Sequence, residues 1–318
     1  MSEVQSHSVP TTTDITRCNP LRPSAGCVSC FLDGESEAVF LTEPPSNQFD
    51  LHFQLGGFPV RVTPFFWVAA AVLGHSLAAG FNRALGDQSP STGVLLALWI
   101  VCVFLSILVH ELGHALAMRF YGMKARIVLW HFGGLAVPES VSSFVSFGSR
   151  TKPHAQIVIS AAGPAAQLLL AFAIVVGARL SGINVDTGVG WADDLIALVN
   201  GAFAMPQGTA PSGPVKVLLV FILWPSIAWA LLNLLPIYPL DGGQIAREVF
   251  TIFSQHNGTR YSLMFSFVTA LAVVFYGLKH DIFLAIMFGM LAYSSFQMLQ
   301  MYSGRGGFGG GVGRGSPW

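Results

Sequence analysis

The chain has 318 residues, of which 53% are hydrophobic and only 10% are charged, and its mean hydropathy is +0.60. Because soluble domains carry about 25% charged residues, this composition excludes an ordinary soluble protein and indicates a membrane protein. The formal net charge is zero, which argues against a nucleic-acid partner.

Residues 1–57 form a polar segment that we expect to be cytoplasmic. The segment lacks the apolar stretch of a cleavable signal peptide, so we expect no such peptide. Three of the four cysteines, Cys18, Cys27 and Cys30, lie in it, and their spacing does not indicate a disulfide framework. These cysteines could bind a metal ion together with His7, but a single Cys-x-x-Cys pair favours reduced thiols without a ligand.

Six apolar runs approach or exceed the roughly 20 residues that a helix needs to cross a bilayer. They are residues 64–81, 93–120, 155–180, 215–235, 261–278 and 282–298. The last two are separated by a very short connection, which predicts a tight helical hairpin. We therefore predict an all-α, polytopic membrane domain at residues 58–302 and a flexible glycine-rich tail at residues 303–318.

The distribution of positive charge predicts how these six spans are oriented. Six spans place both termini on one side of the membrane, and twelve lysines and arginines lie on that side against four on the other. Because cytoplasmic connections carry the excess of positive charge, we expect both termini in the cytoplasm and a multi-pass protein of the cell membrane. The compact form of the chain favours a prokaryotic plasma membrane.

The second apolar run contains His110-Glu111-Leu112-Gly113-His114. Residues four apart share one face of a helix, so the two imidazoles can bind one metal ion, with zinc as the simplest choice. Glu111 lies beside them, where a carboxylate can act as general base toward a metal-bound water. Ionisable groups at membrane depth are costly and usually functional. The alternative is a buried polar cluster that only bridges helices.

Asp241 is the strongest candidate for a third metal ligand, since catalytic zinc usually has three protein ligands. It follows the fourth apolar run, which crosses the membrane in the same direction as the second. Pro236 and Pro239 break the helix before it, and Gly242 and Gly243 permit sharp turns. An interrupted helix in a membrane is tolerated where it is buried or lines a cavity. The alternative is an aspartate in an interfacial loop that ends a helix.

Together the two motifs resemble those of the site-2 protease family of intramembrane zinc metalloproteases. The first motif is the His-Glu-Leu-Gly-His sequence, and the second is the family pattern Asn-x-x-Pro-x-x-x-Leu-Asp-Gly. The second motif matches at Asn233, Pro236, Leu240, Asp241 and Gly242. The resemblance covers roughly residues 58–301 and implies a three-helix catalytic core formed by the second, third and fourth spans.

This resemblance implies a function and a set of site residues. The implied function is regulated intramembrane proteolysis, in which peptide bonds within or near the transmembrane segment of a single-span protein are hydrolysed in the lipid bilayer. His110, His114 and Asp241 would bind one zinc ion, and Glu111 would be the catalytic residue. Glu111 would take a proton from the metal-bound water and deliver it to the leaving amine.

Further residues are candidates for contact with substrate. Family members often have asparagine where the third span has Gln167, so this amide either binds substrate or packs between helices. Asn233 has the same two interpretations. His75, in the first span, either packs between helices or lines a water or substrate path. The connection at residues 121–154 would be the family's membrane-associated region that guides substrate, and we expect a minimal form without a PDZ or CBS domain.

Three classes of function are consistent with a metal site inside a membrane. The first, which we favour, is a zinc intramembrane protease. The second is a non-catalytic metalloprotein that binds transmembrane partners, and such a protein would have no need of Glu111. The third is a metal transporter, against which a single mononuclear site without further intramembrane carboxylates argues.

Overall fold

The structure is a computed structural model that describes residues 46–130, 133–138, 153–185, 190–203, 208–255 and 257–306. Cys18, Cys27 and Cys30 lie outside these ranges. Residues 303–306 of the tail predicted at residues 303–318 belong to the last helix, and the rest of that tail also lies outside the described residues. In chain order the strands and helices are β1 (Leu51–Leu55), β2 (Phe58–Val62), α1 (Pro64–Leu85), α2 (Thr92–Phe120), β3 (Ala125–Trp130), β4 (Gly133–Pro138), α3 (Pro153–Leu180), α4 (Gly190–Ala202), α5 (Gly213–Asn233), α6 (Asp241–Phe253), α7 (Gly258–His280) and α8 (Ile282–Gly306).

Six of the helices described by the structure are long and apolar enough to cross a membrane, namely α1, α2, α3, α5, α7 and α8. They coincide with the six apolar runs of the sequence, so the prediction of a polytopic helical membrane domain is confirmed. Asp281 alone separates α7 from α8, which confirms the tight hairpin. Helices α4 and α6 are additions that the sequence pattern did not predict.

A four-stranded sheet, in the order β1-β2-β3-β4, accompanies the helices and was not predicted either. The pairs β1–β2 and β3–β4 are antiparallel, and β2 and β3 are parallel. Gly56 and Gly57 join β1 to β2 with φ angles of 57° and 85°, the left-handed conformation that a two-residue hairpin turn requires. This hairpin crosses the boundary predicted between residues 1–57 and 58–302.

The sheet packs against the end of α2 that follows the histidine motif. Val62, Ile127 and Leu129 are fully buried and share one apolar core with residues of α1 and α2. Arg119, in the last turn of α2, donates a hydrogen bond of 2.9 Å to the carbonyl of Gly56 and lies over the ring of Phe58, 4.6 Å from its centroid. The connection between the second and third spans therefore begins as a sheet held against α2.

Helices α2 and α3 approach closely at Gly113. A Cβ atom at this position would overlap the carbonyl oxygen of Ala162 and would lie 2.8 Å from the Cβ of Ala166. Small residues at helix contacts in membranes allow this kind of close approach. Gly113 therefore sets the distance between the helix that carries both histidines and its neighbour α3.

We predict that Gly113→Ala destabilises the protein by about 1–3 kcal/mol, because the added methyl group overpacks the α2–α3 contact. Gly177→Ala in α3 is the matched control, since a Cβ there meets no atom within 4 Å. The control should be neutral or stabilising by up to about 1 kcal/mol, because alanine favours helix. Thermal unfolding of the purified variants in detergent measures both effects, and equal unfolding temperatures for the two would contradict the prediction.

Candidate metal centre

Three potential metal ligands from distant parts of the sequence meet in one buried cluster. His110 and His114 lie on α2, and Asp241 is the first residue of α6. The Asp241 Oδ2 atom is 3.1 Å from the His110 Nε2 atom and 3.3 Å from the His114 Nε2 atom, and the two Nε2 atoms are 3.1 Å apart. The structure thus brings together the three residues that the sequence predicted as ligands.

These distances fit a single tetrahedral metal ion. Bonds of about 2.0–2.1 Å in tetrahedral geometry place neighbouring ligand atoms about 3.3 Å apart. The three measured separations of 3.1–3.3 Å agree with that value. Two imidazole nitrogens and a carboxylate oxygen form a donor set that zinc accepts, and three ligands leave the fourth position for water or substrate.

The rings of both histidines are oriented by helix α3. The Nδ1–H group of His114 donates a hydrogen bond of 2.7 Å to the carbonyl oxygen of Ile159. The Nδ1 atom of His110 lies 3.0 Å from the Oε1 atom of Gln167. Each ring therefore uses Nδ1 for a neighbouring helix and turns Nε2 toward the cluster, as is typical of histidine ligands with outer hydrogen-bond partners.

Strand β4 covers Glu111, the predicted general base. Glu111 is only 3% exposed, and the backbone N–H group of Ala136 in β4 donates a hydrogen bond to its carboxylate. A Cβ atom on Gly134 would overlap the Glu111 side chain, so this strand position must lack a side chain. The sequence placed a membrane-associated region here, but it did not reveal that a strand holds the carboxylate.

Asp241 is presented by the turn between α5 and α6, which two serines from the last two helices hold in place. The Tyr238 N–H group donates to Ser266 Oγ at 2.6 Å, and the Ser295 hydroxyl donates to the Tyr238 carbonyl at 3.2 Å. The two hydroxyl oxygens are 2.9 Å apart. Ser266 and Ser295 lie outside both motifs, and the sequence offered no signal for this contact.

Gly242 and Gly243 contribute differently from what the sequence suggested. We expected them to permit sharp turns, but both lie in the first turn of α6. Added Cβ atoms would overlap the backbone of Leu234 and Leu235 at Gly242, and that of Ile237 at Gly243. The glycines therefore allow α6 to begin in close contact with the preceding turn, which brings Asp241 toward α2.

The two substrate-contact candidates make internal hydrogen bonds. The Asn233 side-chain amide donates to the carbonyl of Trp229, one helical turn earlier, at 3.0 Å. Gln167 is fully buried, and its amide contacts His110 and Ser106. Their roles in substrate binding remain predictions. His75 is exposed on α1.

The sequence profile of Peptidase family M50 matches residues 98–276, which include Glu111 and all three residues of the cluster. The chain belongs to Peptidase family M50. This membership confirms the resemblance to the site-2 protease family. The matched region extends from α2 through most of α7 and so contains both sequence motifs.

Curated relatives of this M50 chain come from bacteria and an archaeon. A putative zinc metalloprotease of Synechocystis sp. is 28% identical over 61% of this chain and 42% of the relative. Stage IV sporulation protein FB of Bacillus subtilis is 28% identical over 62% of this chain and 48% of the relative. A zinc metalloprotease of Methanocaldococcus jannaschii is 20% identical over 76% of this chain and 57% of the relative. The chain spans about half the length of these relatives.

Among solved structures, a site-2 protease from Methanocaldococcus jannaschii is similar to this M50 chain. The two are 19% identical in sequence, and the superposition covers 79% of this chain and 95% of that one. The TM-score is 0.45.

Two glycine substitutions should separate metal binding from the position of Glu111. A Cβ atom on Gly163 would overlap the His114 ring, so we predict that Gly163→Ala weakens metal binding. A Cβ atom on Gly134 would displace Glu111, so Gly134→Ala should retain the metal but lower the peptidase activity that we propose below by at least about 100-fold. Metal content of the purified variants, with activity measured in parallel, tests the pair. Loss of metal in Gly134→Ala with retention in Gly163→Ala would contradict both assignments.

Proposed function

We propose that this M50 member is an intramembrane zinc metalloendopeptidase that hydrolyses peptide bonds within or near transmembrane segments of membrane-anchored proteins. The observation that carries the proposal is the buried cluster of two imidazoles and one carboxylate at tetrahedral separations, with Glu111 directly beside it in α2. The names of the Synechocystis and Methanocaldococcus relatives as zinc metalloproteases support the choice of metal and of reaction.

In this proposal His110, His114 and Asp241 hold the zinc ion. When bound, zinc makes water a stronger acid and a peptide carbonyl a better electrophile. Glu111 accepts a proton from the attacking water on a carboxylate oxygen and then donates it to the nitrogen of the leaving amine. The Ala136 N–H group holds the Glu111 carboxylate in one orientation during these transfers.

The expected substrate is a single-span, membrane-anchored protein. A transmembrane helix hides its carbonyl groups in hydrogen bonds, so the segment must unwind before attack. Both histidines of the cluster lie on α2, a helix able to cross the membrane, which favours a substrate that reaches the cluster from within the bilayer. Such cleavage would release part of the substrate from the membrane, which is the outcome of regulated intramembrane proteolysis.

The decisive variant is Glu111→Gln, which keeps the shape of the side chain and removes its ability to accept a proton. We expect it to retain zinc and to lose at least about 100-fold in cleavage of a membrane-anchored substrate. His110→Ala and Asp241→Asn should lose zinc as well as activity. Zinc content and the appearance of cleavage products, measured on purified protein, provide the two readouts.

Proteomics of cells that express the wild type or Glu111→Gln would then identify membrane proteins that accumulate in the variant. Undiminished cleavage by Glu111→Gln would contradict the mechanism. Zinc flux into liposomes that persists in this variant, without any cleavage by the wild type, would instead support a transporter.

We further propose that both termini face the cytoplasm of a prokaryotic cell, with the chain in the plasma membrane. The excess of positive charge on the terminal side of the six spans supports this orientation, and the bacterial and archaeal relatives support the compartment. In this arrangement the α7–α8 connection lies outside the cell and the start of β3 lies inside.

The orientation can be tested with Asp281→Cys and Lys124→Cys, made in a background in which Cys18, Cys27 and Cys30 are serine. Both substituted positions are exposed, whereas the remaining Cys102 is buried. An impermeant maleimide should label Asp281→Cys in intact cells and Lys124→Cys only after permeabilisation. The reverse labelling pattern would contradict the orientation.

A further inference from the structure

We propose that Gln167 is a positioning residue that fixes the tautomer of His110, and that a carbonyl group on α5 sets its orientation through two serines. The serine–glutamine chain comprises Ser226 on α5, Ser106 on α2 and Gln167 on α3. The proposal rests on the proposed metal centre and adds a role for Gln167 other than substrate contact. The proposal rests on how many hydrogen atoms each residue of the serine–glutamine chain can donate.

The serine–glutamine chain ends on α5 at the carbonyl oxygen of Ile222, which can only accept a hydrogen bond. Ser226 Oγ lies 2.6 Å from this oxygen, so the single hydroxyl hydrogen of Ser226 is committed to Ile222. Ser106 Oγ lies 2.9 Å from Ser226 Oγ. Because Ser226 has no second hydrogen to donate, the hydroxyl of Ser106 must donate to Ser226.

Ser106 fixes the orientation of the Gln167 amide. Its terminal group lies 2.7 Å from Ser106 Oγ, whose hydrogen is already directed to Ser226. Ser106 can therefore only accept from Gln167, so the amide must present its NH₂ group to Ser106 and its oxygen to His110. The reversed amide would place two acceptors against each other, which a buried site does not tolerate.

The oriented Gln167 amide fixes which ring nitrogen of His110 carries the hydrogen. The amide oxygen of Gln167 lies 3.0 Å from His110 Nδ1 and can only accept, so Nδ1 carries the hydrogen. The lone pair of the neutral ring is then on Nε2, 3.1 Å from Asp241 Oδ2 and facing the metal position. The neutral imidazole is the form that binds a metal.

Burial fixes the direction of each hydrogen bond in the serine–glutamine chain, because no water molecule can replace a donor there. Ser106, Ser226 and Gln167 each have no exposed surface. The serine–glutamine chain joins α2, α3 and α5, so its hydrogen bonds form only when these three helices pack together. The comparison with the family pattern singled out Gln167, but it gave no indication of the two serines.

The test is zinc affinity, measured by competition with a chelating dye on full-length protein in detergent. Gln167→Leu removes the acceptor for His110 and should weaken zinc binding by about 10- to 100-fold. Ser226→Ala, which touches no ligand, should weaken it in the same direction. The double variant should bind no more weakly than Gln167→Leu alone, because Ser226 acts through Gln167.

Gln167→Glu keeps an acceptor for His110 Nδ1 but replaces the donor to Ser106 with a second acceptor, so it tests the contact with His110 separately from the contact with Ser106. It should bind zinc more tightly than Gln167→Leu. Ser262→Ala, which removes another buried hydroxyl from a membrane-spanning helix, is the matched control and should bind like the wild type. The visible spectrum of the cobalt-substituted protein provides a second readout, and it should change in Gln167→Leu but not in Ser262→Ala.

Wild-type affinity and an unchanged cobalt spectrum in both Gln167→Leu and Ser226→Ala would overturn the positioning role. If Gln167→Leu does not fold, the comparison of Ser226→Ala with Ser262→Ala decides in its place. Failure of the proposed function is distinguishable, since the wild type would then bind no zinc, or would bind it equally well as Asp241→Asn.

Discussion

The structure depends on one constraint, which is that polar groups buried in a membrane must find their partners within the protein. Four ionisable side chains lie together with almost no exposed surface, namely those of His110, Glu111, His114 and Asp241. Their hydrogen-bond partners come from three parts of the fold: α3 bonds to both histidines, β4 bonds to the glutamate, and the two histidines bond to the aspartate. The helix packing is therefore tied to the cluster, because separating any of these elements would leave an ionisable group without a partner.

Glycines make these contacts possible by letting backbone lie where side chains would otherwise stand. Gly113 admits α3 to α2, Gly163 leaves room for the His114 ring, and Gly134 lets β4 lie on Glu111. At Gly242 the same principle brings the start of α6 against the end of the preceding turn. At Gly134 and Gly163 a Cβ atom would overlap the side chains of Glu111 and His114, and at Gly113 and Gly242 it would overlap the backbone of a neighbouring segment. Close approach, rather than an unusual backbone conformation, explains why these four positions are glycine.

Sequence predicted the features that depend on composition and local spacing. Long apolar runs predict spanning helices because a bilayer demands length and apolarity, and the spacing of His110 and His114 predicts a shared face. The position of Asp241 beside the two histidines was predictable because the prolines before it interrupt an apolar run. The sheet was not, since its strands are short and pair across α1 and α2. Ser266 and Ser295 carry no signal either, because a serine in a spanning helix looks the same whether or not it holds a distant turn.

The histidines and Asp241 are held by different helices: α3 bonds to the two histidines, whereas α7 and α8 bond to the turn before Asp241. Both histidines lie on one continuous helix, so their spacing is set by α2 itself and refined by α3. Asp241 instead depends on a turn whose Tyr238 backbone groups bond to serines on α7 and α8. These two helices lie outside the three-helix core formed by α2, α3 and α5. Because Asp241 is held through them, the contacts among α2, α3 and α5 alone do not position its carboxylate beside the two histidines.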